Sequence, residues 1–294
     1  MSEYSDKMFE GSQERSLMGH PIGLGVCFLT EMWERFSYYG MRAILILYLT
    51  KYHLFGADKA NMIYGAYMGM VYMMPIIGGY MADRYLGSRK AVTYGAILLV
   101  AGHGLMGFHG PAAYMDSDIV VRDEFYINLF FLSLALIITG VGFLKANIST
   151  VVGALYGPND PRRDGGFSIF YMGINLGSLF SMGLVGYVGE TYGWNYGFSL
   201  AGIGMFFGLL VFLWGQKYLD GRGDPSNPEI LKEKSPIGIN KENTIYLFGF
   251  AMVAASYIMM KYDELVIQFV GISGLIMVSL ILYYSYTKCD KVDR

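Results

Sequence analysis

Residues 21–50, PIGLGVCFLTEMWERFSYYGMRAILILYLT, decide how this chain is read. The stretch is long and apolar enough to cross a bilayer, for which about 20 residues suffice, yet it carries Glu31, Glu34, Arg35 and Arg42. At about 2.5–3.5 kcal/mol for each central charge, four such groups facing lipid would cost on the order of 10 kcal/mol unless paired or hydrated. A helix turns by about 100° per residue, which places Glu31, Glu34, Arg35, Tyr38 and Arg42 on one face. Glu31 and Arg35 are spaced i,i+4 for an ion pair, and Glu34 with Tyr38 and Tyr38 with Arg42 repeat that spacing. The expectation is a continuous polar ladder turned toward an aqueous cavity. A lock that merely holds helices together is the alternative.

The rest of the chain has the composition such a segment requires. Of 294 residues, 54% are apolar and 16% charged, with a mean hydropathy of +0.37, which excludes an ordinary soluble domain. The 39 glycines suit helices packed closely in lipid. The 22 basic and 24 acidic residues nearly cancel, so there is no basic field to attract nucleic acid. Eight apolar stretches read as membrane spans: 21–50, 60–82, 91–108, 125–154, 167–189, 196–216, 243–260 and 265–287. The polar segment 218–241, rich in proline, glycine and charge, separates a six-helix unit, 21–217, from a two-helix hairpin, 242–287. Residues 1–20 and 288–294 read as tails.

The distribution of basic residues sets the orientation, because lysine and arginine in short loops favour the cytoplasm. With the amino terminus inside, the inner segments up to the seventh span hold twelve basic residues, among them Arg84, Arg89, Lys90, Arg162 and Arg163. The outer loops between the first six spans hold Lys51, Lys59 and Arg122. Both termini are therefore expected in the cytoplasm. Cys27 and Cys289 stand far apart, and the four histidines have no metal-ligand spacing. No P-loop or nucleophile constellation is present, so the sequence offers no case for catalysis.

A second charge in lipid territory strengthens the cavity reading. Lys145 lies in LFFLSLALIITGVGFLKANIST with no acid in the same span. With Glu31, Glu34, Arg35 and Arg42 it leaves one net positive charge, suited to an anionic group. Tyr171 and Asn175 stand one turn apart in the fifth span; Asn175 reads equally as helix glue. The second span carries Tyr64, Tyr67, Tyr72 and a bend-inducing Pro75.

EMWERFSYYG at 31–40 resembles the ExxERFxYY signature of the proton-coupled oligopeptide transporters of the major facilitator superfamily. GGYMADRYLGSRK at 78–90 is similar to that superfamily's GxxxDRxxGxRK loop. FSIFYMGINLGS at 167–178 resembles the family's fifth-helix FYxxINxGS pattern, and GFLKANIST its fourth-helix lysine segment. The resemblance implies an all-α polytopic membrane protein with a major facilitator-type six-helix amino-terminal bundle, followed by the two extra helices that bacterial members insert between bundles. It implies symport of di- and tripeptides with protons, and no cofactor other than the coupling proton.

On this resemblance Glu31, Glu34 and Arg35 match the proton-coupling motif. Arg42, Tyr39, Tyr72, Lys145 and Asn175 match peptide-binding positions, with Tyr38 beside them. Asp83, Arg84, Arg89 and Lys90 match a conformational latch, in which Asp83 pairs with basic residues when the outward-facing state is closed inside; a plain positively charged inner loop is the alternative. A family member continues into six further helices forming a carboxyl-terminal bundle. The expectation is thus a truncated chain, or one half of a split transporter, in a cell inner or plasma membrane. A carrier of nitrate or another small anion, and a non-transporting membrane scaffold, are the competing functions.

Overall fold

A computed structural model describes residues 16–225 and 227–288. Most of the expected amino-terminal tail, and the carboxyl-terminal tail from residue 289 with Cys289, lie outside the described residues. The long apolar stretches form helices: α1 (Ile22–Leu47), α2 (Ala57–Met81), α3 (Ser88–Met106), α4 (Glu124–Ala154), α5 (Arg163–Tyr192) and α6 (Trp194–Gly215). A short helix, α7 (Pro228–Lys232), follows in the linker, and then the hairpin of α8 (Lys241–Lys261) and α9 (Asp263–Lys288). Helices α2, α4, α5, α6 and α8 are long and apolar enough to cross a membrane; the charges of α1 keep it out of that set despite its length.

Local chemistry sets several helix ends. Asp123 accepts hydrogen bonds from the amides of Phe125 and Tyr126 and starts α4, and Asn240 accepts from the Asn243 amide and starts α8, each satisfying a donor that the first helical turn leaves free. At their far ends α1 and α2 widen into π-helical turns, Tyr48–Tyr52 and Ala82–Leu86.

Helix α1 lies against α5 and α6, while α4 packs on α3, α2 and α8, and α9 packs on α2. Missing side chains allow these approaches. A Cβ on Gly78 of α2 would collide with the Gly142 backbone of α4, and one on Gly177 of α5 would collide with the Met32 carbonyl of α1 and touch Arg35 Cβ at 3.0 Å. Glycine at such crossings supplies the van der Waals contact that holds helices together in lipid.

The acid-rich outer segment between α3 and α4, read from sequence as a loop, holds a small antiparallel hairpin, β3 (Tyr114–Asp116) and β4 (Ile119–Val121), numbered after a first pair, β1 (Ser16–Leu17) and β2 (His20–Pro21). Arg122 anchors it, donating to the carbonyls of His53 at 2.6 Å and Leu54 at 2.9 Å with its guanidinium 4.2 Å from the Phe55 ring centre. Its charge density hides the short Met115–Val120 pairing in the sequence, because strand signals need a longer alternation.

Candidate functional site: a buried ion cluster beside an open recess

The charged residues of α1 are withdrawn from the surface. Glu31, Glu34 and Arg35 are only 3%, 1% and 4% exposed. Arg35 Nε lies 2.9 Å from Glu31 Oε1 and 2.5 Å from Glu34 Oε2. One guanidinium thus serves two carboxyl groups, and with both ionised the triad carries one net negative charge. Glu31 Oε2, both Glu34 oxygens and Arg35 Nη2 are buried without a hydrogen-bond partner. Charge neutralisation is therefore close while hydrogen bonding is incomplete, a costly arrangement in a low-dielectric interior.

Lys145 supplies the compensating charge from α4. Its side chain is within electrostatic range of Glu31, Glu34 and Arg35, and its ammonium sits 4.5 Å from the centre of the Tyr72 ring. The expected gathering of Lys145 with the α1 charges is thus observed, with Tyr72 of α2 as its aromatic neighbour. Cation and ring face attract most strongly where water is scarce.

Two contacts expected along α1 are not formed. Instead of meeting Glu34 or Arg42, the Tyr38 hydroxyl donates to Met68 Sδ of α2 at 3.5 Å, and the Arg35 guanidinium lies over the Tyr38 ring at 5.3 Å. Arg42 Nε donates to the Tyr64 hydroxyl at 2.6 Å. Helical spacing brings side chains to one face, but long tyrosine and arginine side chains reach past their own helix to whichever neighbour is packed there.

Beyond Arg42 a recess of about 500 Å³ opens between α1, α2 and α5, lined by Tyr39, Arg42, Ala43, Ile46, Asn61, Tyr64 and Met182. Tyr39 enters this wall beside Tyr38, their ring centres 5.1 Å apart. The sequence does not mark Asn61 and Tyr64 as site residues; their i,i+3 spacing on α2 defines one helical face, but nothing in the sequence says that this face meets Arg42. Asn175 is exposed, and its amide donates to the Tyr171 carbonyl of its own helix at 3.0 Å. No contact joins it to Arg42 or Lys145.

The inner loop makes other pairings in this structure. Asp83 and Arg84 are exposed, and among the described residues Asp83 has no ion pair. Arg89 instead pairs with Asp224 at 2.6 Å, and Lys90 with Glu242 at 2.6 Å. Gly87 explains the redirection. Its φ of +74° turns the chain sharply, and a Cβ there would come within 2.5 Å of the Pro225 nitrogen, so the start of α3 faces the linker.

The family model described as "PTR2: POT family" matches residues 89–243, just over half of the chain. The chain belongs to the POT family. The POT-family chain is 39% identical over 302 aligned residues to an uncharacterized transporter, YclF, of Bacillus subtilis (strain 168), with 99% of this chain and 57% of that protein covered. It is 42% identical to a di-/tripeptide transporter of Lactococcus lactis subsp. cremoris, covering 75% of this chain and 43% of that protein. Among solved structures, the peptide transporter POT in complex with sulfate matches with a TM-score of 0.74 at 37% identity, covering 97% of this chain and 56% of the other. The chain therefore spans about half the length of the relatives it matches. With its family and long apolar helices, it is a multi-pass membrane protein of major facilitator-type fold.

Proposed function

We propose that this POT-family chain supplies the proton-coupling and peptide-binding part of a symporter for di- and tripeptides. The observation that carries the reading is the buried Glu31–Arg35–Glu34 cluster with Lys145 facing it from α4. Intramembrane ionisable groups of this kind are expensive to keep unless they do chemistry. Their unfilled hydrogen-bonding capacity suits groups that exchange partners during a transport cycle. The name of the Lactococcus relative and a solved complex of a peptide transporter with alafosfalin support peptides as the class of substrate.

Arg42 and Lys145 offer two cations to a peptide carboxylate, while tyrosine hydroxyls and the Asn175 amide offer hydrogen bonds to backbone groups without demanding a particular side chain. That arrangement favours broad peptide selection. Uptake of a proton by Glu31 or Glu34 loosens the hold on Arg35 and alters its attraction for the anionic substrate, so the two binding events are linked. Exposed apolar side chains on α2 and α5, such as Ile76, Tyr80, Leu179 and Phe180, form the surface against which a second six-helix bundle closes, as alternating access requires. Both termini face the cytoplasm in this arrangement, by the distribution of basic residues.

Proteoliposomes carrying the protein from its full reading frame provide the test. A pH gradient, acidic outside, should drive accumulation of labelled alanyl-alanine, and Glu31→Gln should abolish accumulation. Wild-type-like accumulation by Glu31→Gln and Lys145→Ala would refute the assigned roles, and competition by nitrate but not by peptides would move the substrate to small anions.

A further inference from the structure

Tyr67 of α2 is fully buried, and its hydroxyl has no hydrogen-bond partner. Buried hydroxyls are nearly always satisfied, so one left over calls for a physical account. Its position gives one. The hydroxyl is in electrostatic range of Glu34, Tyr38 and Arg42 on α1 and of Tyr64 on its own helix. Tyr64 stands one turn away on α2, lines the open recess and accepts from Arg42 at 2.6 Å, so its own proton is free to be given on. Tyr38 is already engaged with Met68. Lys145 of α4 completes the charges around Glu34.

We infer that Tyr67 is a relay residue that passes the coupling proton between the Arg42–Tyr64 recess and Glu34. This rests on the proton-coupled reading above. Tyr67 does not itself line the recess, so the step needs a local opening beside Tyr64 that admits water to the buried hydroxyl: a protonated water entering from the recess transfers a proton to the phenol oxygen as the phenol's own proton leaves, through a second water, to the Glu34 carboxylate. One O–H bond forms at Tyr67 while another breaks, so the phenol is neutral before and after. The recess-side hydronium becomes water, and Glu34 becomes a neutral carboxylic acid. An unpartnered hydroxyl suits this role, because a relay must accept on one side and donate on the other without being held by a permanent partner.

The test uses the full protein in proteoliposomes and the isosteric variant Tyr67→Phe. Counterflow of labelled alanyl-alanine at equal pH needs binding and conformational exchange but no net proton movement, and it should stay near the wild-type rate. Uptake driven by a pH gradient should fall by about a hundredfold, the low end of what a positioned proton-transfer group contributes. Wild-type rates in both assays would overturn the relay and leave the symporter reading intact. Loss of both would also overturn it, assigning Tyr67 to binding or folding. A wild-type protein without pH-driven uptake would remove the proton-coupled reading and the relay with it.

Discussion

Arg89, at the start of α3, and Asp224, in the linker that follows α6, are joined by an ion pair of 2.6 Å, and the Arg89 amide donates to the Gly223 carbonyl at 2.9 Å. One residue thus fixes the linker by side chain and backbone together. Lys90 extends the clasp to Glu242, whose other contact is the Tyr246 hydroxyl at 3.0 Å. The inner loop and the added hairpin are mechanically connected, which a loop closed on its own Asp83 would not achieve.

Asp224→Asn should therefore change local order more than global stability. Both partners of the pair are partly solvated, so its loss costs below about 1 kcal/mol. Limited proteolysis in detergent should cut the linker near residues 220–227 faster than in the wild type, with the unfolding midpoint little moved. Equal cleavage rates would mean that the backbone bond to Gly223 alone secures the segment.

Removing Arg35 should be among the most damaging single changes. Arg35→Ala leaves Glu31 and Glu34 buried side by side, and breaking a buried ionic cluster from one side costs about 3–5 kcal/mol. Thermal unfolding followed by size-exclusion recovery should show a large drop, and pairing it with Glu34→Gln should restore part of the loss. A lone Arg35→Ala protein as stable as the wild type would show that the carboxylates are hydrated rather than dependent on the guanidinium.

Tyr64→Phe should weaken substrate binding without stopping turnover. The Tyr64 hydroxyl accepts from Arg42 Nε and fixes the direction of its guanidinium; hydrogen bonds to charged groups are worth about 1.5–3 kcal/mol. A rise of about tenfold in KM for a dipeptide with kcat nearly constant is expected. An unchanged KM would show that Arg42 reaches its orientation without Tyr64.

Much of the architecture is legible in the sequence. The apolar runs located the long helices because each must span a fixed hydrocarbon thickness, and the i,i+4 spacing of Glu31 and Arg35 anticipated their ion pair. The site was legible in its members on α1 and in Lys145, since charges in lipid territory are conspicuous. It was illegible in Asn61, Tyr64 and Tyr67, because an asparagine or tyrosine in a membrane helix looks the same whether it packs, anchors or binds.

Sequence alone determined that this chain gathers ionised groups on one face of its first span, because periodicity and the cost of charge in hydrocarbon depend only on the order of residues; that Glu31, Glu34 and Arg35 are buried there, where an aqueous cavity was expected, is the work of the packed neighbours. Tertiary structure decided which neighbours those groups found: Tyr64 for Arg42, Met68 for Tyr38, Asp224 for Arg89. The physical reason is that helix-to-helix contacts join residues far apart in the chain. Their identity depends on where glycines such as Gly177 let backbones approach and where Gly87 turns the chain, which no local spacing rule contains.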